Sequence, residues 1–382
     1  MIDQTDLVRV LSGEGTWTYV YLDGHGDEPL PAEHSRRHAL LDELRKCGAP
    51  EPDVQAVDDA LAEDAGIPSP SVLYLLVQNG RVEVEERFIG ERLGPEQVGC
   101  ARVPPVLPLL RHLGADIRYV VVEAGREGAH LRVEAGGRAG VDQAAEVQGR
   151  TDSLPKVQSG GWSHKRYQMH SEEIWKQTQS EVADALESIA REHRPSFVVI
   201  AGDVRARQLL EDALSPATSA ITIDVDAHTK AEGADAGALD DAIARAVDEH
   251  LRGAVSDALD RAAAGDGKNG AHGVRDVVAA LQRAQVDTLV LDARELTADG
   301  TLEALDAEPW VALGEGDELA ARSIARVPVA EGLARAALLS GATVLVGEDD
   351  EPPAGEPMPE RPAPEPVAAL RWPRDDAGEG VA

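Results

Sequence analysis

The stretch SFVVIAGDVRARQLLEDAL, Ser196 to Leu214, sets a buried strand, a glycine turn and a helix end to end. Its unbroken apolar run suits a strand covered on both faces, and Gly202 ends it. Apolar residues then return at helical spacing through Leu209, Leu210 and Leu214. SAITIDV, Ser219 to Val225, reads as the next strand. Strand and helix in alternation predict a layered α/β fold with a mostly parallel sheet. Aromatic residues are only 3% of the chain, so the cores must be built from Ala, Val, Leu and Ile, as that class allows.

The same grammar extends in both directions. Upstream, Ile174, Val182, Leu186 and Ile189 mark one face of a helix from about Tyr167 to Glu192, with Pro195 past its end. IRYVVVEAGREGAHLRVEAGG, starting at Ile117, reads as a hairpin, and the polar stretch from Arg138 to Gly161 carries no apolar period. Downstream, a charged, Ala-rich helix spans about Ala238 to Ala264 and is interrupted by GDGKNG. Helix VRDVVAALQRAQ, strand DTLVLDA, a polar span, helix VAEGLARAALLSG and strand TVLVGE follow. The acidic, Pro-rich tract near 348–366 has the composition of a mobile loop. VAALRW after it has strand character and is placed to return to the sheet.

The N-terminal part opens with strand TWTYVYLDG, a helix from Glu33 to Arg45 and a second helix, EPDVQAVDDALAEDAG. SVLYLLVQNGRVEVEERFIG then makes a hairpin about Asn79-Gly80. The Pro-rich RVPPVLPLLRHLG reads as a connector, with a boundary near Gly114. At 382 residues, two or three domains are expected. The division drawn is an N-terminal α/β domain over 1–114, a central one over 115–264 and a C-terminal one over 265–382. The last carries the acidic insertion.

A formal charge of -32 and a pI near 4.6 argue against binding nucleic acid over a broad surface. No apolar run is long enough to span a membrane and MIDQTDLVRV lacks a signal-peptide layout, which points to the cytoplasm. The two cysteines, Cys47 and Cys100, form no framework, CxxC pair or zinc spacing. GDGKNG lacks the Ser/Thr of a P-loop and no strand feeds it, so it reads as a hinge. The turn after Ile200 can aim amides at an anion, as nearly every α/β crossover can. His34 and His38 lie one helical turn apart without a third ligand, and Asp224, Asp226 and His228 form an acidic turn that needs no metal. No GxSxG, HExxH or Cys/His nucleophile is present, and no cofactor is expected.

One stretch departs from the rest. In QSGGWSHKRYQMHSEE, Gln158 to Glu173, two glycines meet Trp162 and a basic, aromatic run, and no Asp or Glu occurs from Ser153 to His170. Gly160 and Gly161 permit close backbone approach. Lys156, His164, Lys165 and Arg166 suit phosphates, and Trp162 and Tyr167 suit unpaired bases. A surface loop whose Trp folds back onto its own domain would have the same composition.

Gly160-Gly161-Trp162-Ser163-His164-Lys165-Arg166-Tyr167 resembles the Gly-Gly-Gln-Ser-x-x-Arg-Phe motif of archaeal and eukaryotic class-one release factors. GKNGAHGVRDVVAALQRAQVDTLVLDA resembles the segment opening that family's third domain, and VAALRW its terminal strand. The resemblance covers about Ile117 to Trp372, and the N-terminal part matches only the bacterial branch of the superfamily, the branch of Balon-like ribosome hibernation factors. It implies a three-domain architecture and a central loop that enters the ribosomal peptidyl transferase centre. Lys156, Gly160, Gly161, Trp162, Ser163, His164, Lys165, Arg166 and Tyr167 would then contact ribosomal RNA, the first domain would sit near the decoding centre, and elongation factor Tu would be a partner.

The departure from the motif decides the expected activity. The family's catalytic glutamine is Trp162 here, and an indole offers one N–H donor and no acceptor. The expectation is a non-enzymatic hibernation factor in the ribosomal A site. The alternative is a peptidyl-tRNA hydrolase or rescue factor that recruits Gln158, His164 or Gln168. A scaffold unrelated to ribosomes would require three ordered motif matches to be accidental.

Overall fold

The computed structural model describes residues 4–24, 30–62, 67, 69–113, 117–136, 143–148, 163–226, 236–294, 300–314, 320–347 and 365–373. It is a mixed α/β structure with several sheets. Contact density divides it into two compact units. One comprises residues 1–115, 137–139 and 251–382, and the other 116–136 and 140–250.

The chain begins with α1 (Gln4–Leu11), β1 (Trp17–Asp23), α2 (Leu30–Cys47), α3 (Glu51–Ala62), β2 (Ser71–Gln78), β3 (Arg81–Ile89), β4 (Gln97–Ala101) and α4 (Leu107–Leu113). The strands form an antiparallel sheet in the order β3-β2-β1-β4. Successive residues of a strand face opposite sides, which explains the solid apolar run of β2. Val72, Tyr74 and Leu76 enter one core with α1 and α4, and Leu73, Leu75 and Val77 enter a second with α2 and α3. The β2–β3 turn is the expected Asn79-Gly80, with φ of 54° and 74°. Asp53, fully buried on α3, ties it down by accepting the Gly80 amide at 2.5 Å and the Thr18 hydroxyl at 3.0 Å.

The second unit contains β5 (Arg118–Gly125), β6 (Gly128–Ala135), β7 (Gln143–Gln148), α5 (Ser163–His193), β8 (Phe197–Gly202), α6 (Val204–Glu211), α7 (Pro216–Ser219) and β9 (Thr222–Asp224). Its sheet runs β7-β6-β5-β8-β9. The sheet is mixed rather than mostly parallel. β8 pairs parallel with β5 and β9, while β6 is antiparallel to both β7 and β5, and a tight turn such as that of the β5–β6 hairpin can join only antiparallel neighbours. Gly202 is required where β8 turns into α6. Its φ is 115°, and a Cβ there would lie 2.1 Å from the Ala124 carbonyl oxygen.

The boundary between the units falls within α8 (Ala236–Ala263). Beyond it lie β10 (Gly270–His272), α9 (Gly273–Gln282), β11 (Val286–Asp292), β12 (Thr301–Leu305), β13 (Val311–Ala312), β14 (Ser323–Pro328), α10 (Val329–Leu339), β15 (Thr343–Gly347) and β16 (Val367–Leu370). β16, the VAALRW segment, does return to the sheet, between β10 and β11 in the order β10-β16-β11-β15. This sheet and helices α9 and α10 share one buried core with α1, α4 and one face of the N-terminal sheet.

Four local expectations are corrected. The Pro-rich connector contains α4. Pro108 sits in its first turn, where its missing N–H costs nothing, and Glu331 of α10 caps it by accepting the amides of Val106 at 2.8 Å and Leu107 at 3.3 Å. The polar stretch after β6 contains β7, whose Ala145 and Val147 pack against the central core. The polar span after β11 contains a small sheet, β13-β12-β14. Cys47 and Cys100 are joined as a disulfide with Cα atoms 6.1 Å apart, because α2 packs on β4. Residues 348–364 of the acidic tract lie outside the described residues.

Candidate functional site

Of the residues marked out by sequence, Lys156, Gly160, Gly161 and Trp162 lie outside the described residues, as does Gln158. Ser163, His164, Lys165, Arg166 and Tyr167 form the first turns of α5, which starts four residues before the expected Tyr167. α5 is 31 residues long with no acidic residue in its first turn. The helix dipole places partial positive charge at that end, where Lys165 and Arg166 also stand.

The far part of α5 is fixed to its sheet. Val182, Ala183, Leu186 and Ile189 are buried against β5, β6 and β8. Gln179 is fully buried, and its amide nitrogen donates to the Gly125 carbonyl at 2.8 Å. Its Oε1 has no hydrogen-bond partner among the described residues. Thr178, also buried, donates back to the Ile174 carbonyl at 3.0 Å. At about 1.5 Å rise per residue, Ser163 stands roughly 22 Å along the axis from Thr178.

Arg126 in the β5–β6 turn joins α5 to α6. Its guanidinium lies 5.2 Å from the centre of the Trp175 ring and 3.0 Å from an Asp203 carboxylate oxygen. Asp203 is the N-cap of α6 and accepts the amides of Arg205 at 3.0 Å and Ala206 at 3.2 Å. Burial works to raise its pKa, but those amides and the Arg126 guanidinium hold it below the ordinary value. The amides that could have bound an external anion are therefore taken. A groove of about 570 Å³ between α5 and α6 is lined by Glu173, Lys176, Ser180, Arg205, Leu209, Asp212 and Ala213, a set of both charges. Sequence reading missed Arg126, Trp175 and Gln179, since only the hairpin's return toward the helix brings them together. The one local signal was Trp175 and Gln179 at i and i+4 on α5.

The other sequence candidates resolve into structure. Arg207 is buried at 4% exposure and pairs with both Asp224 and Asp226, the latter at 2.8 Å, so the acidic turn is its counter-charge. His228 lies outside the described residues. His34 and His38 are exposed on α2, and no group of three metal-ligating side chains occurs among the described residues. GDGKNG follows a helix and leads to β10 through turns with positive φ at Gly265, Asp266 and Gly267. No helix among the described residues is long and apolar enough to cross a membrane.

Residues 118–268, which include this loop and helix, match the family described as bacterial archaeo-eukaryotic release factor family 2. That match covers 151 of the chain's 382 residues. Among solved structures it is similar to an archaeal translation termination factor, aRF1, at 16% identity over 97% of this chain and 99% of that one, with a TM-score of 0.24. It is similar to S. cerevisiae Dom34, a translation termination-like factor, at 10% identity over 98% and 94%, with a TM-score of 0.39. Archaeal Pelota in a ribosome-bound model with ABCE1 is 14% identical over 98% and 94%, with a TM-score of 0.36. No curated protein sequence matches the chain.

Proposed function

We propose that this protein binds the ribosomal A site and presents its Gly160-Gly161-Trp162 loop to the peptidyl transferase centre without hydrolysing peptidyl-tRNA. The observation that carries this is Trp162, standing where the release-factor motif has glutamine, inside the segment that matches the family. The loop leads into the basic first turn of α5, and α5 is anchored by its far half to the central sheet. Such a loop can bring Lys156, His164, Lys165 and Arg166 to phosphates while Trp162 and Tyr167 stack on bases, each stacked base contributing about 1–3 kcal/mol. The N-terminal part would face the decoding centre and elongation factor Tu would deliver the protein, a set of contacts suited to ribosome hibernation.

Ester hydrolysis needs an oriented water and a donor that follows charge onto the leaving oxygen. Trp162 can stack or block, and it cannot take the place of an amide that both donates and accepts. The direct test is cosedimentation with purified ribosomes, with and without an A-site tRNA as competitor. Binding that the tRNA displaces supports A-site occupancy. Absence of pelleting at low salt, or pelleting indifferent to the tRNA, would reject it.

A further inference from the structure

A narrow polar cleft, apart from the loop and from α5, lies where the end of α1 meets the β12–β14 sheet and α10. It has a volume of about 250 Å³, and its lining includes Glu14, Arg102, Asp306, Arg322 and Arg335. In a chain of charge -32, three guanidinium groups meet here against two carboxylates among the described residues. One of those, Asp306, is already engaged by Arg322 at 3.1 Å, and the other, Glu14, is exposed.

Arg335 is the unusual member. It is 4% exposed, and no carboxylate among the described residues pairs with it. Its contacts are three long hydrogen bonds to carbonyl oxygens, Leu305 at 3.2 Å, Trp310 at 3.4 Å and Leu11 at 3.5 Å, and the face of the Trp310 ring at 5.9 Å. Trp310 Nε1 beside it is a buried donor with no partner among the described residues. A cation held away from water without a counter-charge is costly, so buried guanidinium groups are normally matched by an anion. Desolvation has lowered the Arg335 pKa to about 10, which leaves it charged at neutral pH and in want of that anion. Arg102, exposed at the same cleft, also has no ion pair among the described residues.

We propose that this cleft binds the phosphate group of a small molecule, with Arg335 as the buried charge and Arg102 and Arg322 closing over it from the mouth. A guanidinium fork matches phosphate oxygens in pairs, and a phosphate monoanion would balance the single positive charge that the two carboxylates leave uncovered. The volume is below the range usual for drug-sized ligands, so the cleft suits a phosphate with little attached to it. Nucleic acid is disfavoured by the small volume of the recess and by the chain's net charge of -32.

The test uses the full chain and inorganic phosphate as the probe, with sodium chloride at matched pH and ionic strength as control. Phosphate is expected to raise Tm where chloride does not, as a ligand of the folded state must. Arg102→Ala with Arg322→Ala alters exposed side chains and should weaken phosphate affinity by about tenfold or more, each lost charge-assisted bond contributing at least that order. Arg335→Gln should abolish the phosphate shift. The proposal falls if phosphate and chloride act alike on the wild type, or if the double variant keeps the full shift. Should Arg335→Gln fail to fold, the double variant carries the test alone.

Discussion

At Gly202 the main chain leaves β8 with a φ of 115° and passes so close to Ala124 that no side chain fits. Gly202→Ala is expected to destabilise the second unit by about 3 kcal/mol, from strained backbone and steric displacement together. Denaturant unfolding measures this, and a change below about 0.5 kcal/mol, the range of ordinary surface substitutions, would show that the turn has room. Two titrating side chains make a second prediction. Burial raises Glu331 to about 7, against the amides of Val106 and Leu107 that work to lower it. Burial, and then Arg111, lower His112 to about 4, where its Nε2 lies 2.9 Å from the Tyr21 hydroxyl and its ring stacks on Phe88 at 4.5 Å. Folded Glu331 keeps its proton longer than the unfolded chain does, so its contribution is full below pH 4.5 and lost as pH rises through 7. Folded His112 sheds its proton sooner, so its contribution is full above 6.5 and lost as pH falls through 4. The two oppose each other. Glu331→Gln removes the first, so the stability of the variant relative to wild type should rise between pH 5 and pH 8. Parallel profiles would mean that Glu331 titrates normally.

At the scale of elements, α5 runs from the central core to Ser163, directly after the Gly160-Gly161-Trp162 stretch. Leu186→Ala should cost about 3 kcal/mol, since Leu186 is fully buried against the central sheet. Lys165→Glu with Arg166→Glu should leave the unfolding midpoint within a degree or two, these being charge changes in the first turns of α5, yet weaken ribosome pelleting by about tenfold or more through lost phosphate contacts. Equal pelleting of wild type and double variant at moderate salt would show that this end of α5 is not an anchor. The body of α5 was legible from Val182, Leu186 and Ile189, and its start was not, because Ser163 to Arg166 hold no apolar residue to mark a face. β7 escaped for a related reason. Ala145 and Val147 turn inward, yet Ala144 beside them makes the alternation faint. The cap of α4 was invisible in principle, since Glu331 lies more than two hundred positions away in sequence. The same holds for the cleft lined by Arg335, whose residues come from five separate stretches of the chain.

At the scale of the molecule, local pattern announced the α/β class and the order of most elements. It did not announce that the first and last segments share a core, with Leu7, Tyr74 and Leu109 in the same cluster as Leu281, Leu333 and Val346. Long-range burial of that kind leaves no periodicity behind. The charge of the molecule shapes its expected binding in turn. A body of charge -32 repels RNA, so ribosome affinity must arise at short range and should fall as salt rises, because phosphate contacts release counterions. Affinity that held steady from low to high salt would point to contacts with ribosomal proteins. The most direct measurement of all is single-turnover release of labelled peptide from peptidyl-tRNA on ribosomes saturated with the wild-type protein. Trp162 predicts stable occupancy with release no faster than the uncatalysed background. Release at the rate of a working release factor would contradict it and make this chain a hydrolase.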